Sequence, residues 1–159
     1  MMINKRKIAA LLLLLSAGMV ACDDDETYPV TPEIAFRSLE KFVSVSQSDS
    51  LVLTFSFTDG DGDIGSPESD PARRDVFVKL FEKKNGVFEE AILAAPLEYR
   101  IPYLTPRGNN KSLKGDVRIN IDYNILQPND TIFYKVYIKD RADRKSNEIT
   151  TATIITRVQ

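Results

Sequence analysis

Leu51, Leu53, Phe55 and Phe57 alternate with Val52, Thr54, Ser56 and Thr58. A period of two with one apolar face predicts a half-buried strand. The alternation returns at Val117, Ile119 and Ile121 against Arg118, Asn120 and Asp122. It returns again at Ile132, Tyr134, Val136 and Ile138 against Phe133, Lys135, Tyr137 and Lys139. Val76 to Lys83 is a Val- and Phe-rich run, separated from Val87-Phe88 by Asn85-Gly86. Asn-Gly between apolar runs predicts a hairpin, because a type I′ turn needs positive φ at both central residues. Residues 94–112 carry Pro96, Pro102 and Pro106. They predict an irregular connection around a short edge strand near Leu97 to Ile101, where proline is tolerated. Glu148 to Thr156 is Thr- and Ile-rich and predicts a final strand. No segment has a helical period. The β pattern begins near Ile34, and seven to eight strands over residues 34–159 predict an all-β fold, a β-sandwich.

The N-terminal pattern is different. Lys5, Arg6 and Lys7 precede Ile8 to Val20, a run of about 13 mostly apolar residues, shorter than the roughly 20 that span a bilayer. A basic start, a short apolar run and a small residue at the end predict a secretory signal peptide over residues 1–21. The chain's single cysteine, Cys22, follows directly. Residues 22–33 read as an acidic tether, with two prolines between Thr27 and Pro32. Met19-Val20-Ala21-Cys22 resembles the lipobox of bacterial lipoproteins, with Met in place of the usual Leu. The resemblance implies cleavage before Cys22, a diacylglycerol on its thiol, and acylation (palmitate-type) of its amine. Two or more chains hold stably where one is marginal. Asp23, Asp24, Asp25 and Glu26 resemble the export signal of Bacteroidota lipoproteins. That implies an outer-membrane, surface-exposed address, whereas the plain alternative is a solvated start to a flexible tether.

Charge and composition narrow the function. The leader holds three basic and no acidic residues, so its removal takes the formal net charge from −2 to −5. An acidic chain of this kind argues against nucleic acid and anionic membrane surfaces as partners, both of which select basic patches, so no nucleic-acid partner is expected. One cysteine cannot form an intrachain disulfide. The absence of histidine excludes Ser-His-Asp and Cys-His catalysis and the common His-based zinc sites. Two-carboxylate glycosidase chemistry survives on residue types alone.

The strongest chemical motif is Thr58-Asp59-Gly60-Asp61-Gly62-Asp63-Ile64-Gly65. Three carboxylates at alternate positions can curl around a hard cation such as calcium, which takes six to eight oxygens. It is not an EF-hand: the sixth position is Ile64 where that loop needs Gly, and the twelfth is Asp70 where it needs Glu. In a sandwich with residues 51–58 and 131–139 as the second and sixth strands, Asp59, Asp61 and Asp63 approach Asp140 and Asp143. Five converging carboxylates need compensation. Calcium is one answer. Arg73, Arg74, Arg141 and Arg144 are a second. Local bonds from backbone amides to Asp, with glycines supplying positive φ, are a third. A catalytic role is the fourth.

Leu126-Gln127-Pro128 followed by Asp130-Thr131-Ile132-Phe133-Tyr134 resembles the E–F corner of fibronectin type III domains, which leads into a strand with a buried tyrosine. Here Phe133 and Tyr134 both compete for that place. Asp140-Arg141-Ala142-Asp143-Arg144-Lys145-Ser146 resembles a loop of bacterial immunoglobulin-like repeats, Asp-x-Ala-Gly-Asn-x-Ser, with Asp143 and Arg144 replacing Gly and Asn. The Asp-Gly-Asp-Gly-Asp-Ile-Gly segment resembles one that recurs in Bacteroidota surface lipoproteins of unassigned function. These resemblances imply an immunoglobulin/fibronectin type III-like sandwich. The expected function is a lipid-anchored, non-enzymatic binding or structural module at the outer surface, with a protein or glycan partner. Tyr99, Tyr103 and Phe88 are candidate contacts, with packing under a long loop as their alternative, and the lack of tryptophan weakens the glycan version. A calcium-stabilised envelope spacer and a small carboxylate-dependent hydrolase are the competing functions.

Overall fold

The computed structural model describes residues 26–42, 50–106, 109–122 and 131–156. The expected leader, residues 1–21, with Cys22, Asp23, Asp24, Asp25 and the turn at Leu126-Gln127-Pro128, lies outside them. The chain is an all-β sandwich of two antiparallel sheets. The smaller sheet is β1 (Glu33–Phe42), β2 (Ser50–Asp59) and β6 (Leu113–Asp122), with β2 central. The larger is built on β3 (Val76–Lys84) and β7 (Thr131–Ile138). Strands β4 (Val87–Glu90) and β5 (Leu97–Tyr99) share the outer edge of β3, and β8 (Ile149–Thr150) and β9 (Ile154–Ile155) share that of β7.

Alternation builds the core. Leu53, Phe55 and Phe57 of β2 and Ile119 and Ile121 of β6 face Val76, Val78 and Leu80 of β3 and Ile132, Tyr134, Val136 and Ile138 of β7, all buried. β2 departs from strict alternation at its start, where Leu51, Val52 and Leu53 are all buried. Asn85 and Gly86 have φ of 51° and 87°, the type I′ signature that closes the β3–β4 hairpin. Tyr134, rather than Phe133, enters the core. Phe133 lies on the opposite face, stacked on Phe81 at 4.9 Å.

The expected final strand, Glu148 to Thr156, is two short strands. Between them Thr151 replaces ladder geometry with its side chain: the Tyr134 amide donates to Thr151 Oγ1 at 2.9 Å, and the Thr151 amide donates to the Tyr134 carbonyl at 2.9 Å. A hydroxyl standing in for a carbonyl bends the chain away from regular pairing. Ser146 does the same for the Ile138 amide at 3.0 Å. Asn147 closes the sandwich edge: its Oδ1 accepts from the Ile34 amide and its Nδ2 donates to the Ile34 carbonyl, both at 2.8 Å.

The described part of the segment expected as a tether lies on the domain. The Tyr28 amide donates to Ser112 Oγ at 3.4 Å, Asn110 Nδ2 donates to the Glu26 carbonyl at 3.3 Å, and Glu26 pairs with Lys114 of β6.

Candidate metal centre

Each residue of the segment Asp59 to Gly65 has a distinct task. Asp59 ends β2 fully buried, and its Oδ2 accepts from the Gly62 and Asp63 amides at 2.7 and 3.1 Å. That curls the loop back on the strand end. Gly60 has ordinary φ; it is needed because a Cβ there would stand 2.1 Å from the Tyr28 carbonyl of the tether. Gly62 takes φ of 73°, the left-handed region that glycine enters without penalty. Ile64 is fully buried and plugs the loop into the core.

The loop after β7 arrives from the facing sheet. Arg144 donates from Nη2 to Asp61 Oδ2 at 2.5 Å and to Asp63 Oδ2 at 3.0 Å. Its Nε donates to Asp140 Oδ2 at 2.6 Å, and its backbone amide to Asp140 Oδ1 at 2.8 Å. Arg141 takes the carbonyls instead: Nη1 donates to Ile64 and Gly65 at 2.9 and 3.1 Å, and Nη2 donates to Gly62 at 3.0 Å. Its guanidinium lies over the Tyr103 ring at 4.5 Å.

Four of the five expected carboxylates therefore meet, and the fifth does not. Asp143 is turned outward, its side chain 71% exposed, and pairs with Arg73 at 3.1 Å. Its φ is 62°, which explains why the resembling pattern places Gly there. Asp140 is buried among the others with both oxygens taken by Arg144, so it acts as a counter-charge rather than a free ligand. Arg74 serves local carbonyls of Pro71, Ala72 and Arg73 and lies apart from the cluster.

Asp59, Asp61 and Asp63 remain as a triad. One carboxylate oxygen from each lies within 4.8 Å of the others, and these residues could hold a metal ion. In each, Oδ1 is buried and has no hydrogen-bond donor among the described residues.

Burial pushes the Asp59 carboxyl up to about 6, and the charges of Asp63 and Asp61 add to it against the two amide bonds that favour the anion. Burial, with Asp140 and Asp61, raises Asp63 as well, while Arg144 pulls it down. With divalent ions chelated, the folded chain then holds a proton on Asp59 at pH values where the unfolded chain, near 3.8, has lost it. The sign is fixed: this group's contribution to stability falls as pH rises from about 4 through 6. Asp59→Asn is expected to lack that slope, so the wild-type's stability advantage over it, read by urea unfolding, falls as pH rises from about 4 through 6. Identical slopes in both proteins would contradict it.

Asp75 is the polar residue that the sequence pattern did not single out. It is fully buried just before β3, where its Oδ1 accepts from Ser66 Oγ at 2.5 Å and its Oδ2 from the Ile101 amide at 2.9 Å. Arg73 Nε lies 3.7 Å from Oδ1. Its backbone amide donates to the Tyr99 carbonyl, and its carbonyl accepts from the Lys139 amide.

The candidate aromatics separate. Tyr99 is half-buried against the core and Phe88 packs edge-on to Phe133 at 4.9 Å, while Tyr103 is 50% exposed under Arg141. The outer face of β3 and β7 carries a further stacked pair, Phe77 and Tyr137 at 4.9 Å, with Lys139 and Lys145 over those rings and Lys135 over Phe81. The strand register makes this face legible only once β3 and β7 are known to be neighbours.

Comparison of the chain with protein families, curated proteins and solved structures finds no match. The fold and site define an all-β sandwich with an acidic, arginine-braced cluster where the loop after β2 meets the loop after β7.

Proposed function

We propose that this chain is a lipid-anchored module of the cell envelope, displayed at the outer surface, which binds or positions a protein or glycan partner without catalysing a reaction. The observation that carries the reading is Cys22, the single cysteine, directly after a basic and apolar leader and before four acidic residues. The arrangement of the domain supports it. Glu26, the last of the four acidic residues, pairs with Lys114 on the body of the sandwich. Tyr28 and Pro29 lie close against Gly60 of the acidic loop.

A non-enzymatic reading is supported by how the carboxylates are used. Asp61, Asp63 and Asp140 are committed to Arg144 rather than lining a cleft. The groove along β3 to β5 is walled by Phe77, Leu93, Pro96, Leu97 and Tyr137 and carries none of these three; its own carboxylates are Glu98 and Glu90, the latter paired with Lys79 at 3.3 Å. The strand order, β1-β2-β6 facing β4-β3-β7-β8, supports the immunoglobulin/fibronectin type III-like assignment. For a partner, the outer face of β3, β4 and β7 offers ring faces beside lysines, chemistry suited to sugars and to acidic protein patches.

The test is the mass of the N-terminal peptide of the chain isolated from its host's membranes. A peptide beginning at Cys22 and carrying a diacylglyceryl group and an amide-linked acyl chain is expected. An unmodified cysteine, or a mature chain starting elsewhere, would overturn the proposal.

A further inference from the structure

We infer that Asp59, Asp61 and Asp63 form a calcium site that fixes the loop after β2. Three independent features carry it. The first is distance: a calcium ion sits about 2.3–2.6 Å from its oxygens. Oxygens within 4.8 Å of one another can therefore share one ion.

The second is the state of Asp59. Its side chain is fully buried, Oδ2 is used by two amides, and Oδ1 has no donor among the described residues. A buried carboxylate oxygen without a partner is costly. The same holds for Oδ1 of Asp61 and of Asp63, whose Oδ2 atoms both go to Arg144. Arg144 is placed to use one oxygen of each of these two and cannot serve the third residue as well.

The third is charge. Asp61, Asp63 and Asp140 bond the Arg144 guanidinium, Asp59 lies beside Asp61 and Asp63, and the neighbouring Arg141 bonds carbonyls. Counting both arginines, four negative charges face two positive ones, and one divalent cation closes the difference. Calcium, with its flexible shell of six to eight oxygens, suits a trio of carboxylates fixed by other bonds, and water completes the set. Magnesium demands a near-ideal octahedron.

The site has a structural consequence. The ion would bind on either side of Gly60, whose backbone is pressed against Tyr28 and Pro29 of the tether. Filling it stiffens the loop where it meets Tyr28 and Pro29. The site itself follows from the geometry alone; its occupancy in the cell rests on the outer-surface placement proposed above, where calcium is available at the millimolar level that extracellular modules use.

The experiment uses the full chain in non-ionic detergent, stripped with EDTA and titrated calorimetrically with calcium chloride. One ion per chain is expected, with a Kd of about 0.1–1 mM. Calcium at 5 mM is expected to raise Tm by roughly 3–10 °C, and magnesium by less. Asp63→Asn should abolish both the heat and the shift, while Asp143→Asn, outside the triad, should keep them. If Asp63→Asn fails to fold, Asp61→Asn serves in its place. Arg144→Gln should lower Tm in EDTA and recover most of the loss in calcium. Several results would each overturn the site: no binding at 10 mM calcium, an equal or larger shift with magnesium, equal losses in Asp63→Asn and Asp143→Asn, or an Arg144→Gln defect that calcium leaves unchanged. The acyl mass at Cys22 is untouched by any of these outcomes, so failure here and failure of the anchoring proposal are separate.

Discussion

Cys22→Ser is expected to remove the lipid label from the chain completely and to empty the outer-membrane fraction of it. This is the largest functional effect that the proposed anchoring implies for a single substitution. The thiol is the attachment point in that reading, and the hydroxyl of serine does not replace it. Each buried methylene of an acyl chain contributes about 0.8 kcal/mol, and one chain alone binds only marginally, so loss of the modified cysteine removes essentially all of the membrane affinity. Among the described residues, no helix is long and apolar enough to cross a membrane. The measurement is metabolic labelling with an alkyne-bearing fatty acid, followed by membrane fractionation. Retention of label or of outer-membrane location in Cys22→Ser would contradict the anchoring.

The largest effect on stability is expected at Asp75. Replacement by alanine leaves the Ile101 amide and the Ser66 hydroxyl without their acceptor, in a region where all three residues are buried. Removing one partner of a buried charged network costs about 3–5 kcal/mol. That is a large share of the 5–15 kcal/mol that holds a typical domain together. Asp75→Asn retains one oxygen acceptor, so it should cost less, about 1–2 kcal/mol. Urea unfolding of the two variants reads this directly, as a lower midpoint at unchanged slope. A change under about 1 kcal/mol for Asp75→Ala would show that Ser66 and Ile101 find other partners.

The contrast between Asp59 and Asp75 shows what could be read from the chain. Asp59 sits in a spaced run of Asp and Gly, and that spacing alone suggests a curled loop. Asp75 follows Arg73-Arg74 and precedes a Val-Phe strand, so locally it resembles a solvated charge. Its burial comes from Ser66 and Ile101, residues brought to it only by the sandwich. Strands β2, β3, β6 and β7 were legible because each buries one face, and period two survives in the sequence. The split between β8 and β9 was not, because the Thr151 hydroxyl interrupts the ladder within a run that is otherwise β-prone. The meeting of the two loops followed from topology. Which arginine would take carboxylates and which would take carbonyls did not, since Arg141 and Arg144 differ only in the direction the chain gives them.

Protease treatment of intact cells tests the central proposal, an anchored module at the outer surface, most directly. With outer-membrane integrity verified by a periplasmic marker that stays intact, the sandwich is expected to be degraded or released from whole cells. Full protection of the domain in intact cells, with digestion only after lysis, would contradict the outer-surface placement.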